Sequence, residues 1–353
     1  MLKSGFFTRN TYICSMQQPA YSFIIPVYNR PDEISELLQS FTHLEEASSF
    51  EIVIVEDGSE RRCDEVIKEF QKELDIRYFF KPNSGPGDSR NFGMKQANAD
   101  YYIILDSDVI LPSDYLTVVH QFLSKNHVDC FGGPDAADQS FSPIQKAINF
   151  SMTSYLTTGG IRGHKTAKEF QPRSFNMGLS RKAFESIGGF KSIHPGEDPD
   201  LVLRLWDMDM KTAFIEKARV YHKRRISWIL FFKQMYKFGS VRPILNKWHP
   251  RYNKLAFWFP SIFMLVFLIS LVLLFVHVPY LFYLFLLYFA LLLMLALIQM
   301  KKLKPSLLAL WAVFVQFTAY GSGYLRSTIL LNIYTNRSEK QLFPNLFFPW
   351  EKS

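Results

Sequence analysis

The stretch Ser22-Phe23-Ile24-Ile25-Pro26-Val27-Tyr28-Asn29-Arg30-Pro31 decides the fold. Phe23, Ile24, Ile25 and Val27 form a short, nearly unbroken apolar run. That is the pattern of a strand buried on both faces of a parallel sheet. Just beyond it, Ile34, Leu37, Leu38 and Phe41 recur at helical spacing, and Pro31 stands where a missing N–H costs little. The unit then repeats. Glu51–Val55 reads as a strand ending in Glu56-Asp57-Gly58-Ser59, and Cys63, Val66, Ile67, Phe70 and Leu74 mark the next helix face. Ile76–Phe80 is a third strand, Pro82–Gly87 a polar turn and Ser89–Ala97 a helix. Tyr101–Leu105 is a fourth strand, closed by Asp106-Ser107-Asp108 and followed by a helix over Pro112–Leu123. Strands and helices alternating at crossover spacing predict an α/β domain with a mostly parallel central sheet and helices on both faces.

After Val128–Phe131 the alternation weakens, and Gly132-Gly133-Pro134 turns the chain. Ser140–Tyr155 reads as helix, Thr157–Pro172 as a mobile loop and Phe175–Leu179 as a short strand. Arg181–Ile187 is a helix stopped by Gly188-Gly189, Pro199–Met208 another, and Thr212–Ile215 a strand.

The second half differs in kind. The 44 residues from Phe257 to Met300 contain no Asp, Glu, Lys or Arg. Leu255–Val278 and Tyr280–Met300 are each long enough to cross a hydrocarbon layer of about 30 Å, and Pro279 marks the hairpin between them. Ser306–Tyr324 is read as a third span, with a re-entrant or interfacial helix as the alternative. The spanning reading puts the C-terminus outside, the alternative keeps it inside. Between Lys211 and Lys254 stand twelve Lys or Arg and one acid, Glu216, although the whole chain carries only +8. A basic block directly before an apolar run, with Lys301, Lys302 and Lys304 after it, marks the cytoplasmic face of a membrane and calls for anionic phospholipid. A nucleic-acid partner explains that position less well, and none is expected. Met1–Pro19 lacks a continuous apolar signal segment, so the first domain is expected in the cytoplasm. Three scattered cysteines, Cys14, Cys63 and Cys130, make no disulfide framework.

Acids recur at strand ends, which is where parallel sheets bind ligands. Asp57 follows the second strand, and Asp106 and Asp108 follow the fourth. Two carboxylates one residue apart can share a divalent cation with a phosphate, or they can simply end a strand. The turn Asn83-Ser84-Gly85-Pro86-Gly87 permits close backbone approach before a helix, and Arg90 could fork onto a diphosphate. Asp88 beside it is expected to cap the helix and point away. Glu197 and Asp198 open a helix, where acids are at home, and one could take a proton from an acceptor hydroxyl. His222 ends a short strand before Lys223-Arg224-Arg225, placing it near phosphate or metal.

Taken together, these pieces resemble a membrane-attached, bacterial-type family 2 glycosyltransferase of the GT-A fold. The likeness is carried by Phe23–Asn29, Val53–Ser59, Asn83–Asn91, Leu105–Asp108, Phe175–Gly178, Gly188–Phe190 and Gly196–Leu201, in order over residues 21 to 225. The resemblance implies a nucleotide-sugar donor, most simply a UDP-sugar, and inversion at the anomeric carbon. It implies that Pro26, Tyr28 and Asp57 line the base pocket and that Arg90 approaches the nucleotide. Asp106 would lie near ribose and metal, and Asp108 would bind Mg²⁺ or Mn²⁺, with His222 as a further ligand. Asp198 would be the catalytic base and Glu197 its neighbour. The family often has two Asp before Gly-Ser, and here the first is Glu56.

The expected organisation is an N-terminal extension (1–20), a catalytic domain (21–222), a basic amphipathic interface segment (223–254), a transmembrane region (255–333) and a tail (334–353). A lipid-linked or membrane-proximal glycan acceptor in cell-surface polysaccharide assembly fits this plan. A processive synthase is the runner-up, but the Gln-x-x-Arg-Trp motif is missing and Arg225-Ile226-Ser227-Trp228 is a weak echo. A polyprenyl-phosphate glycosyl donor synthase, a metal-dependent nucleotidyltransferase and a silent scaffold complete the alternatives. Nothing in the pattern specifies an oligomeric state.

Overall fold

The computed structural model describes residues 18–45, 48–136, 142–158, 170–222 and 227–348. Expectations for Met1–Gln17, for most of the loop after Thr158 and for Lys223–Ile226 lie outside those residues.

The first half alternates as the sequence predicts: β1 (Tyr21–Val27), α1 (Pro31–Phe41), β2 (Phe50–Asp57), α2 (Asp64–Phe70), β3 (Ile76–Lys81) and α3 (Pro86–Gln96). Then come β4 (Tyr101–Leu105), β5 (Val109–Ile110), α4 (Tyr115–Leu123), β6 (Cys130–Gly132) and β7 (Asp135–Ala136). They are followed by α5 (Pro143–Thr153), α6 (Tyr155–Thr158), β8 (Asn176–Ser180), α7 (Arg181–Ile187), α8 (Glu197–Asp207), β9 (Thr212–Phe214) and β10 (Val220–His222). The C-terminal part is helical: α9 (Trp228–Trp248), α10 (Phe259–Phe275), α11 (Tyr280–Met300), α12 (Leu303–Ile333) and α13 (Glu339–Leu342).

Seven strands form one sheet in the order β3-β2-β1-β4-β8-β6-β9. It is mostly parallel, and β8 runs antiparallel to both β4 and β6. Alternate residues serve opposite faces, as the two-residue strand period requires. Phe23, Ile25, Ile52, Ile54, Ile103 and Leu105 pack towards α1, α2 and α4. Ile24, Val53, Val55, Tyr102 and Ile104 pack towards α3, α7 and α8. Both sides of the strands are therefore dry, which is why the sequence shows apolar runs there rather than alternation. A smaller sheet, β5-β10-β7, sits beyond the end of β4.

Two boundaries differ from expectation in a useful way. α3 starts at Pro86 rather than Ser89, and α8 at Glu197 rather than Pro199. Each begins directly after a glycine at positive φ, Gly85 and Gly196, so the acids and the glycine turn lie in the first helical turn itself.

The basic segment is largely helical and packs against the rest of the chain. It contains one 21-residue helix, α9, that buries Phe231, Met235, Val241, Ile244 and Leu245. Its partner is α12. The helices meet backbone to backbone: a Cβ on Gly323 would lie 2.3 Å from the Tyr236 carbonyl oxygen, and one on Gly239 would lie 2.1 Å from that of Tyr320. α10 meets α12 antiparallel, through Trp258 with Tyr324, Phe263 with Phe317 and Phe267 with Phe314. α10 with its lead-in, α11 and α12 are each long and apolar enough to cross a membrane. They are not equivalent: half of the apolar window of α12 is buried in protein, against 22% and 17% for the other two.

The α9–α12 contact predicts a test. Gly323→Val should force the helices apart, overpacking of this kind costing about 1–3 kcal/mol. The expected result is a lower thermal midpoint in detergent. An unchanged midpoint would mean that the helices do not meet there.

Candidate active site

The carboxyl ends of β1 to β4 lie along one sheet edge, and the register aligns Val27 with Glu56 and Asp57 with Lys81. That alignment builds the first part of the site. Asp57 is buried, and its Oδ1 accepts from Lys81 Nζ (2.6 Å) and Ser84 N (3.0 Å). Its Oδ2 accepts from Gly85 N (2.9 Å), while Asn83 Nδ2 donates to the Asp57 carbonyl (2.9 Å). Asp57 thus holds the glycine turn in place. Asp88 does not cap the helix as expected. It faces Lys81 at 3.3 Å and accepts from Ser84, so Lys81 is clasped by two carboxylates. Glu56 points the other way, accepting from Cys63 N (2.9 Å) and Tyr78 Oη (3.0 Å).

Pro26 is half-buried at the end of β1, and Tyr28 is exposed on the following loop. That loop is clipped to the one after β2: Asn29 N donates to Ser59 Oγ (2.7 Å), and Asn29 Oδ1 accepts from Glu60 N and Arg61 N.

Arg90 stands at the centre of the edge. Only 4% exposed, it donates to Asp106 Oδ1 (2.8 Å), approaches Glu197 Oε1 (3.5 Å) and lies over the Phe190 ring. Burial works against its charge, but Asp106, Asp198 and Glu197 outweigh burial and raise its pKa. Asp106 and Asp108 occupy the turn between β4 and β5 and are half-buried. Register opposes His222 to Val109, so β10 brings position 222 to the residue after Asp108. The His222 side chain lies outside the described part of the structure.

Glu197 and Asp198 are neighbours in different surroundings. Burial tends to raise the pKa of Glu197, but His194 Nδ1 at 2.8 Å and Arg90 prevail and lower it. Asp198 is raised, first by burial and then by the charge of Glu197. Asp198 Oδ2 accepts from Ser174 N (3.1 Å), whereas its buried Oδ1 has no hydrogen-bond partner among the described residues. The loop carrying them rests on α9, with Gly196 directly against Val241.

Several contributors were not singled out from sequence. Lys81 and His194 are two. A third is Asp200, fully buried and bound by Arg204 Nε (2.9 Å), His249 Nε2 (3.0 Å) and Lys191. Only the alignment of Lys81 with Asp57 at neighbouring strand ends gave a readable signal. His249 is 49 residues from Asp200, and no local pattern joins them.

As for a metal, no group of three His, Cys, Asp or Glu side chains converges ready to hold an ion among the described residues. Two hard carboxylates, Asp106 and Asp108, suit Mg²⁺ or Mn²⁺ shared with substrate phosphate, which seldom needs an all-protein cage. One Asp106 oxygen is already engaged by Arg90.

Residues 22–188 match Glycosyl transferase family 2. An uncharacterized glycosyltransferase of Haemophilus influenzae is 32% identical over 145 residues, covering 40% of this chain and 58% of that protein. One of Rickettsia felis is 38% identical over 106 residues, 30% of this chain but only 17% of its own length. The chain therefore spans a small part of the Rickettsia relative. The fold is similar, at a TM-score of 0.54 and 14% identity, to the mannosyltransferase PcManGT from Pyrobaculum calidifontis, over 91% of this chain and 89% of that one. That likeness shows a GT-A-like fold.

The two carboxylates make a pH prediction. A base must be deprotonated; with Asp198 in that role, its raised pKa would move the acidic limb of a kcat/KM profile above the ordinary carboxylate range. Glu197→Gln removes the neighbouring charge and should shift that limb to lower pH. A limb that does not move would show that Glu197 does not act on Asp198.

Proposed function

Because the chain carries a domain of family 2 of the glycosyltransferases, enzymes of sugar transfer, we propose that it is an inverting glycosyltransferase. It moves a sugar from a nucleotide-sugar, most simply a UDP-sugar, to a hydroxyl of a lipid-linked glycan. The observation that carries this reading is Asp198: a raised carboxylate with one buried, unpartnered oxygen, among the described residues, at the sheet edge where Asp57, Arg90 and Asp106 gather. Such an oxygen is costly to bury unless a ligand proton completes it.

The step is a single displacement. Asp198 accepts the proton of the acceptor hydroxyl as its oxygen bonds to the anomeric carbon from the face opposite the leaving group. The bond from that carbon to the diphosphate breaks, and the nucleoside diphosphate leaves with the electron pair. A divalent cation, Mg²⁺ or Mn²⁺, held by Asp108 and Asp106, with His222 as the further ligand the family resemblance implies, would offset the diphosphate charge. The glycine turn, fixed by Asp57 and Lys81, aims the N–H groups of Gly87 and Asp88, in the first turn of α3, at the donor. Pro26 and Tyr28 border the same edge as walls for the base. Arg90 is too enclosed to swing freely, and its work is to hold Asp106 and Glu197 in register.

A lipid-borne acceptor is supported by the position of the proposed base. Its loop rests on α9, and α9 rests on α12. The outer side of α9 interleaves exposed Ile229, Leu230 and Phe232 with Lys233 and Lys237, a surface suited to anionic headgroups. The basic flanks support a catalytic domain on the cytoplasmic side of the inner membrane. The tail bears on the number of crossings. Leu346 and Phe348 hydrogen-bond with His194 and Ser192 of the catalytic domain. A tail resting on the domain from which the chain enters the bilayer favours an even number of crossings. That contact supports a reading with two full crossings among the three apolar helices, beside the three-span reading from sequence.

Two experiments test these readings. Purified protein in anionic vesicles, given a panel of nucleotide-sugars and lipid-linked glycan acceptors, should release nucleoside diphosphate and yield an acceptor heavier by one sugar. Loss of a general base costs typically 10²–10⁴-fold, so Asp198→Asn should fall by about that factor. Chelation should stop transfer, and added Mg²⁺ or Mn²⁺ should restore it. Release of pyrophosphate instead would point to nucleotidyl transfer. Separately, an epitope at the C-terminus should be cleaved from the same vesicle face as the catalytic domain; protection there would restore three crossings.

A further inference from the structure

We propose that the strap formed by residues 343–348 is a wall of the donor site and that Phe348 is a positioning residue for its glycine turn. This rests on the nucleotide-sugar reading above. The strap leaves α13, whose Glu339 is held by Lys247 of α9 at 2.7 Å. Phe343 and Leu346 are then buried with Ile193, Val241, Ile244 and Leu245. Burial of this kind offsets the entropy of ordering a chain end. Phe347 pairs antiparallel with Ile193, the Leu346 carbonyl accepts from His194 N (2.8 Å), and Phe348 N donates to the Ser192 carbonyl (2.9 Å). These bonds tie the backbone of the strap to residues 192–194.

The ring lies on Gly85. A Cβ at Gly85 would be 2.4 Å from two of its carbons, so the turn and the ring touch as closely as a bare backbone allows. Gly85 also has φ +96°, and its N–H is one of the bonds that tie the turn to Asp57. The turn is thus held between a carboxylate and an aromatic ring. On its other side the ring stands 5.6 Å from the His194 ring, and His194 Nδ1 bonds Glu197. One side chain from the membrane end of the protein therefore supports both the turn that receives the donor and the loop that carries the base. Without the ring, the turn keeps its bonds to Asp57 but can rise into the vacated space. The N–H groups of Gly87 and Asp88 that follow it then lose their aim at the diphosphate, while Asp198 keeps its surroundings.

The test separates donor binding from turnover. In full-length protein, Phe348→Ala should raise KM for the donor about tenfold, with kcat changed less than about twofold, and Phe348→Leu should recover most of the loss; tenfold corresponds to about 1.4 kcal/mol. Equilibrium dialysis with labelled UDP-glucose, UDP-N-acetylglucosamine and GDP-mannose should show the same loss of affinity for whichever the wild type binds. An unchanged donor KM in Phe348→Ala overturns the proposal. So does a fall in kcat and melting temperature at constant KM, which would make the strap merely structural. Wild-type protein that binds none of the three, and transfers no sugar, overturns the donor reading itself, a distinguishable failure.

Discussion

A guanidinium shut away from water must be paired, and the pairing of Arg90 organises the whole sheet edge. Its partners come from separate parts of the chain: Asp106 from the end of β4 and Glu197 from the start of α8, with Asp198 close enough for its charge to be felt. Removing any one would leave buried charge uncompensated. The helix that carries Arg90 begins in the glycine turn, so the same residue also ties that turn to the base loop. The cluster sets the distance between the donor end of the site and its base before any substrate arrives.

Much of this was legible in the sequence because parallel sheets advertise themselves. Apolar runs such as Phe23–Val27 and Ile52–Val55, each followed by a turn and a helical face, admit few folds, and acids at their ends fall on one edge by topology. The C-terminal helices were equally plain, since a stretch such as Tyr280–Met300 can be stable only as a buried or lipid-facing helix. The connections between units were less legible. Composition shows α9 as a basic run, yet its placement depends on Gly239 and Gly323 letting two backbones touch. Asp88 looked like a cap because caps are local, but it answers to Lys81, which only the β2–β3 register brings near. His249 on Asp200 and Phe348 on Gly85 join segments distant in sequence, and no periodicity encodes such pairs.

The joint between domain and membrane is unusually direct. α9 touches the base loop through Val241 and Gly196, and α12 through Tyr236 and Gly323. The strap then carries the chain from α12 back to the sheet edge. A glycosyltransferase domain on a loose tether would sample many heights above the bilayer. Here two contacts from different elements tie the sheet domain to the apolar helices.

Glu197 and Asp198 show how adjacent carboxylates can be given unlike work. Their intrinsic acidities differ little. Glu197 is met by a histidine and a guanidinium, so its negative charge is stabilised and its proton affinity is low. Asp198 receives one backbone N–H, suffers the same burial and faces the charge of Glu197. The first is therefore the better ion and the second the better base. Exchanging their side chains would not exchange their roles, because the roles belong to the positions. A residue that holds a proton more tightly than its neighbour, with an oxygen that has no partner among the described residues, is the one that suits the base of the proposed reaction. Glu197, by staying ionised, raises the affinity of Asp198 for a proton.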